Sequence, residues 1–347
     1  MVQEIVDILK NIELYCVTNF YNSLVNKRYK LQKDKNIEYK LLDAPKFTQT
    51  VVKENNRVFK ETYTQIIENF VSTMKEKLPE PALNAMYHNL KTLKIGKTNN
   101  SIISMFLCGL YIQIPNVIIL TKNNRGDATV THELLHMSSL IIGKNNMASG
   151  FYMNKVGRSL NEGYTEVLNN RLFGHPITQV PSYNMYAKFA SVIEDIIGKN
   201  NMTNLYFTAD LKGLFEQLSY YSSREKTSVF LKDLDSLYSS KFLIIINSSC
   251  FDRIIDYLTY TSIDYVDVSI KTGTLSLADA GLFLQKYREK IESINDDLNK
   301  LAGRNVKSFQ SEIFDNFCYN INEQLNDKMM KWFLLSNNIS IMCILLF

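Results

Sequence analysis

The sequence has few of the residues that staple or anchor a fold. Its five cysteines, Cys16, Cys108, Cys250, Cys318 and Cys343, are scattered and odd in number, and no two form a CxxC pair. That spacing argues against a disulfide framework and a cysteine zinc site, and it fits a reducing, cytoplasmic setting. No run of 18 apolar residues occurs, so no membrane-spanning helix is expected. Glu4, Asp7, Lys10 and Glu13 interrupt the start of the chain and no small-residue cleavage site follows, which argues against a secretory signal. Charge of one sign is also scarce: the net charge of +4 over 347 residues is too mild to imply a nucleic-acid partner. What is present is ordinary folding material. Apolar residues make up 46% and charged residues 21%, enough for a sizeable core divided into two or three packed units.

The pattern predicts an α+β, mostly helical chain in three regions. Residues 1–92 form a helical N-terminal region. Ile5, Leu9, Ile12 and Val17 space an amphipathic helix over 2–24, the basic stretch 27–40 reads as a solvated end or loop, and a second helix over 59–78 is ended by Pro79 and Pro81. Residues 93–180 form the central core. Within 93–120, apolar and β-branched runs punctuated by Gly109 and by Pro115-Asn116 predict two or three strands with a tight turn, the one convincing sheet of the chain. A helix follows over 127–142 with Asp127 as N-cap and Gly143 beyond its end, then a loop over 145–158, then a helix over 160–173 closed by Gly174 and Pro176. Residues 181–347 form a helical C-terminal domain, with segments at 183–197, 211–221, 229–238, 251–266, 275–301 and 306–333. The apolar stretch 332–347 is broken by Ser336, Asn337 and Asn338, and it is short for a bilayer. It predicts a buried terminal helix or strand.

Chemistry concentrates in residues 131–137, Thr-His-Glu-Leu-Leu-His-Met. On a helix an offset of four is about 400°, so His132 and His136 leave the same face one turn apart and can ligate one ion. Glu133 lies beside the first ligand, on the side where a reacting water would sit. With only four histidines in the chain, chance produces HExxH with odds of roughly one in several hundred. A polar pair on a surface helix is the plainer alternative. It accounts neither for Glu133 nor for the apolar Leu134, Leu135 and Met137 around the pair.

A catalytic zinc site needs a third protein ligand. Residues 160–166, Leu-Asn-Glu-Gly-Tyr-Thr-Glu, begin a second helix, with 25 residues between His136 and Glu162. Glu162 can complete the metal set, and Glu166, one turn on, can accept the free ring N–H of a ligand histidine. The alternative for Glu162 is a capping box, Ser159-Leu160-Asn161-Glu162; for Glu166 it is a solvated helix carboxylate. Tyr164, His175, Tyr183 and Tyr186 are candidate oxyanion donors that the sequence alone does not separate. The plainer alternatives are a loop position for His175 and core or rim positions for the tyrosines.

HExxH followed by Asn161-Glu162-Gly163-Tyr164-Thr165-Glu166 resembles the gluzincin class of zinc metallopeptidases, whose thermolysin-like and aminopeptidase-like branches carry HExxH on one helix and an N-E-x-x-x-[DE] motif on the next. The resemblance spans residues 107–173. It implies one zinc ion held by His132, His136 and Glu162, Glu133 as general base, and Glu166 behind a ligand histidine. It also implies an edge strand within 109–120 that receives an extended peptide. The 25-residue spacer is longer than in those two branches and no GxMEN-type motif is present, which sets the likeness at the level of the class. The expected function is hydrolysis of a peptide or protein substrate. The alternative is a catalytically silent, or highly specific regulatory or effector, protein that acts mainly by binding a partner; the intact Glu133 weighs against silence.

Overall fold

The computed structural model describes residues 61–97, 108–113, 116–121, 123–142, 147–153, 156–177, 181–240, 248–302, 312–321, 323–324 and 326–327. The helix read over 2–24, the basic stretch 27–40, the terminal stretch 332–347, Pro115 and Gly143 lie outside them. The described chain is α+β and mostly helical, with two small sheets.

Helix α1 (Glu61–Lys75) buries Ile67, Phe70, Val71 and Met74, the spacing of one helical face. Helix α2 (Glu80–Thr92) falls within the helical region read over 1–92, although Pro79 and Pro81 were read only as the end of the helix before it. Pro81 instead occupies the first turn, where a missing N–H leaves no hydrogen bond unmade. Strands β1 (Lys94–Lys97), β2 (Gly109–Ile112) and β3 (Val117–Leu120) form a sheet in the order β1-β3-β2. β1 runs parallel to β3 and β2 antiparallel to it, with Leu110 opposite Ile119 and Tyr111 opposite Ile118. Among the described residues, β2 is therefore an edge strand. Asn116, at a positive φ of 65°, makes the turn into β3, and Tyr111 Oη donates to its side-chain oxygen at 2.8 Å.

Helix α3 (Asp127–Ser138) carries HExxH and is buried from Ala128 through Ser138. Gly126, not Asp127, is its N-cap residue; Asp127 supplies a negative charge in the first turn. The helix stops four residues short of the predicted 142, because Leu140-Ile141-Ile142 is strand β4 (Leu140–Ile142). With β5 (Met147–Ser149) and β6 (Tyr152–Met153) it forms a second antiparallel sheet, where the sequence reading placed a loop. Strands of two or three residues give too short an alternation to be recognised. Asn89 on α2 fixes the end of α3: its amide donates to Met137 O at 3.1 Å and to Leu140 O at 2.9 Å.

Helix α4 (Arg158–Phe173) carries the second motif between two left-handed glycines, Gly157 and Gly174. Ser159 lies inside the helix, so it is not the N-cap of a capping box. Asp235 takes that duty, accepting from Gly157 N at 2.7 Å and Ser159 N at 3.2 Å, while Ser159 Oγ donates to Leu234 O at 2.6 Å. Helix α5 (Pro181–Ile197) lies against α4. Helix α6 (Lys199–Phe207) was not predicted; Lys-Asn-Asn-Met-Thr-Asn reads as loop, but burial of Met202, Leu205, Tyr206 and Phe207 fixes it.

Two compact units result. The first holds the described residues within Met1–Gln217 and Leu231–Ile245, the second those within Leu218–Phe230 and Ile246–Phe347. Helices α7 (Leu211–Tyr220) and α8 (Arg224–Ser240) run across the division. These units are drawn differently from the three regions 1–92, 93–180 and 181–347, since α1, α2, α5 and α6 share the first unit with α3. In the second unit α9 (Ser248–Lys271) packs along α10 (Leu277–Ala302). Phe230 and Tyr257 stack at 4.1 Å within that unit, where Phe251, Ile254, Leu258, Leu284, Tyr287, Ile291 and Ile294 are buried. Among the described residues, no helix is long and apolar enough to cross a membrane.

Candidate metal centre

Helices α3 and α4 are clasped along their length by polar side chains. Asn169 Nδ2 donates to Ala128 O at 2.9 Å, and the Thr131 hydroxyl lies 2.7 Å from Asn169 Oδ1. Phe70 of α1 stacks on Phe173 at the far end of α4, at 5.3 Å. On the other side, a Cβ at Gly163 would stand 2.1 Å from Tyr186 O, so only glycine lets the α5 backbone come this close. These contacts fix the rotation of α4 and turn Glu162 toward the paired histidines.

The three expected donors converge. His132 Nε2 and His136 Nε2 are 3.1 Å apart, and Glu162 Oε2 lies 3.4 Å from the first and 3.5 Å from the second. Donors about 2.0–2.2 Å from one tetrahedral ion lie about 3.3–3.6 Å from each other. The two edges to Glu162 fall in that range and the His132–His136 edge of 3.1 Å is slightly shorter, so the triangle is close to the size of a shared metal site, and two imidazoles with one carboxylate form a donor set that could hold zinc. All three side chains are largely shielded from water, with exposures of 7%, 8% and 15%.

The charges around this triangle are strongly coupled. Burial pushes the His132 ring toward the neutral form, but Glu162, Glu166 and Glu133 outweigh it and raise the pKa to about 10. Burial likewise pushes Glu162 up, yet His136 and His132 hold it well below the usual carboxylate range. Glu133 moves the other way. Its burial dominates and raises its pKa, against the pull of both histidines and a hydrogen bond from the Tyr111 backbone amide.

Behind the donors stand their supports. Glu166 Oε1 lies 3.0 Å from His132 Nδ1, a close ionic contact whose direction falls short of a hydrogen bond. The same oxygen accepts from Arg125 Nη2 at 3.0 Å. Asn161 spans two neighbours: its Oδ1 accepts from Phe151 N at 2.9 Å, and its amide nitrogen is 3.1 Å from His136 Nδ1. Ser149 of β5 donates to His136 O at 2.7 Å, which ties the second sheet to the end of α3.

The site opens into a cleft of about 350 Å³ between β2 on one side and β5, β6 and the start of α4 on the other. Glu133, His136 and Glu162 face it. Of the four candidate oxyanion donors, only Tyr183 lines it, with its ring centroid 6.3 Å from that of His132. Tyr164 is fully buried elsewhere, its hydroxyl bonded to Glu194 at 2.8 Å and 3.0 Å from Thr203 Oγ1. Tyr186 is buried in α5, and His175 lies beside Phe173 beyond the end of α4; neither lines the cleft. The structure does not bring those three to the cleft, which matches the plainer core and loop alternatives for them. A tyrosine inside the motif looked close to the metal on spacing alone, but helix phase turns position 164 away from the face of Glu162.

Sequence reasoning gave no site role to Arg125, Gly109, Ser149 or Asn169. Each acts through tertiary proximity and carries no motif. Asn161 was part of the motif but had been given no role. Neither protein-family models, curated proteins nor solved structures match this chain.

Proposed function

We propose that the protein is a zinc-dependent peptidase of gluzincin type. The observation that carries this reading is the His132–His136–Glu162 triangle, whose edges of 3.1, 3.4 and 3.5 Å are close to those around one shared metal ion, next to a buried carboxylate in an open cleft. When bound there, zinc supplies a Lewis acid that polarises a carbonyl and acidifies water.

The chain's own residues do the rest. Glu133 accepts the proton of the attacking water as its oxygen bonds to the scissile carbonyl carbon. It then passes that proton to the amide nitrogen as the C–N bond breaks. Burial raises the pKa of Glu133 from the ordinary carboxylate value, which suits a group that both takes and returns a proton. Of the candidate donors, Tyr183 is the one that lines the cleft, and its hydroxyl is assigned to the developing oxyanion.

The substrate backbone pairs with β2. Cys108 O accepts from Thr121 N, so residues 108, 110 and 112 face β3. Alternation then leaves the backbone groups of Gly109 and the carbonyl of Tyr111 on the outer edge, toward the cleft, while the Tyr111 N–H is held by Glu133. An extended peptide laid there brings a main-chain carbonyl past Glu133. The scattered cysteines favour action in the cytoplasm.

The test is digestion of a mixed peptide library by the zinc-loaded protein, with and without chelator. Cleavage that disappears with chelator and in Glu133→Gln supports the reading. Equal cleavage by Glu133→Gln and the parent chain refutes it.

A further inference from the structure

Behind His136 lies a set of buried hydroxyls that hydrolysis does not use. Tyr206 reaches it from α6, fully buried and packed edge-on against Phe151 and Tyr164, both at 5.5 Å between ring centroids. A buried hydroxyl is costly unless it is hydrogen-bonded, and this one has two partners. Its oxygen lies 2.7 Å from Thr165 Oγ1, and it also bonds the Ser139 side chain. Burial raises its pKa, so the hydroxyl stays neutral and keeps its proton. Both partners touch the ligand histidine. Thr165 Oγ1 is 3.5 Å from His136 Nδ1, and Ser139 Oγ donates to His136 O at 3.0 Å. One tyrosine from α6 is thus joined to the ring and to the backbone of His136.

Counting protons gives this network a direction. A histidine that ligates through Nε2 carries its proton on Nδ1 and donates it to a neighbour. Asn161 is not placed to receive it. Its Oδ1 takes the Phe151 amide at 2.9 Å, which turns its NH2 group, a donor, toward the ring at 3.1 Å. Reversing that amide sets two donors face to face at Phe151. Among the described residues, Thr165 Oγ1 is then the acceptor beside Nδ1. The proton of Thr165 goes to Asn161 O at 2.7 Å, so Tyr206 is the donor in their shared bond. A hydroxyl oxygen has two lone pairs. One takes the Tyr206 proton, and the other is left for His136.

We infer that Tyr206 is a positioning residue for the metal site: by donating to Thr165 it fixes that hydroxyl as the acceptor of the His136 Nδ1 proton, which holds the ring in the form whose Nε2 is bare for a metal. The chain is stiff, because Tyr206 and Thr165 are buried and Thr165 is committed on both sides. Gly150 shows how closely it is held. A Cβ there would stand 2.4 Å from Tyr206 Cε2 and 2.2 Å from Asn161 Oδ1. Helix α6 supplies none of the three metal donors, yet it takes part in building their site. The metal site is the one part of the peptidase reading on which this rests, and the test needs no turnover.

Zinc affinity is measured by chelator competition for the parent chain, Thr165→Val, Thr165→Ser and Tyr206→Phe, each first checked for parent-like circular dichroism. Thr165→Val keeps the side-chain shape without the hydroxyl and should lose about tenfold or more in zinc affinity. Thr165→Ser should restore most of it. Tyr206→Phe keeps the ring and its packing and should lose about threefold to tenfold, the worth of one buried hydrogen bond. Histidine-selective NMR of the zinc-loaded proteins supplies a second readout: the His136 Nδ1 proton should exchange slowly in the parent and faster in Thr165→Val. Parent-like affinity and an unchanged Nδ1 proton in Thr165→Val and Tyr206→Phe overturn the inference, as does a loss that Thr165→Ser leaves unrepaired. Should either variant fail to fold, the other decides. If the losses appear and the parent chain cleaves no peptide, the positioning role stands and the peptidase reading falls. If peptides are cleaved and the losses are absent, the reverse holds. A parent chain that takes up no zinc ends both.

Discussion

Gly109 on β2 lies so close to Glu133 that a Cβ at position 109 would stand 2.8 Å from the carboxylate oxygen Oε1, and 2.6 Å from Thr129 Cγ2. The edge strand therefore sets the position of the proposed base directly. Gly109→Ala must displace either the strand or the carboxylate. The expected result is a fall in kcat of at least about tenfold, the scale on which small misplacements near reacting atoms act. Zinc content should be unchanged, since no metal donor touches Gly109. Steady-state kinetics beside metal analysis checks this.

Arg125 and Glu166 form a chain that ends at His132. Glu166→Gln removes the charge facing His132 Nδ1, and Arg125→Met removes the group that orients Glu166. Losing such support behind a ligand costs about 10–100-fold in metal affinity. Glu166→Gln should show the larger loss and Arg125→Met the smaller. Competition with a chromophoric chelator measures both.

The His132 pKa of about 10 gives the metal-free protein a pH signature. Its folded value lies above the ordinary 6.5, so the protonated ring stabilises the fold fully below pH 6.5. That contribution drains away as pH rises from 6.5 toward 10. Metal-free protein should therefore lose thermal stability across that window, and His132→Gln should flatten the loss. Zinc binding runs the opposite way, because the ligand ring must shed its proton. Calorimetric titration in buffers of differing ionisation enthalpy should show a proton released per zinc at pH 7.

Asp235 reaches from α8 to hold the first turn of α4. Asp235→Ala leaves the Gly157 and Ser159 amides without that partner and should destabilise the protein by about 1–2 kcal/mol. Denaturant unfolding of the metal-free chain reads this out; zinc, bound equally by both folded states, should raise both stabilities and leave the difference unchanged.

Much of the site was legible because its logic is local. His132 and His136 sit one turn apart by arithmetic alone, and the need for a third ligand pointed to Glu162. The glycine closing α4, the turn at Asn116 and the long C-terminal helices followed from composition and period. What stayed hidden depends on partners distant in sequence. Asp235 displaced Ser159 as the cap from 76 residues away. Pro81 opened a helix it seemed to forbid. The second sheet consists of strands too short to carry a pattern, and the phase of α4 took Tyr164 into the core while leaving Tyr183 of α5 in the cleft.

Equilibrium zinc titration of the parent chain and of His132→Ala, His136→Ala, Glu162→Ala and Glu133→Gln tests the central claim most directly. The account predicts one zinc per chain, affinity lowered at least a hundredfold in each of the first three variants, and affinity close to the parent's in Glu133→Gln. Undiminished zinc binding in all three ligand variants would contradict it.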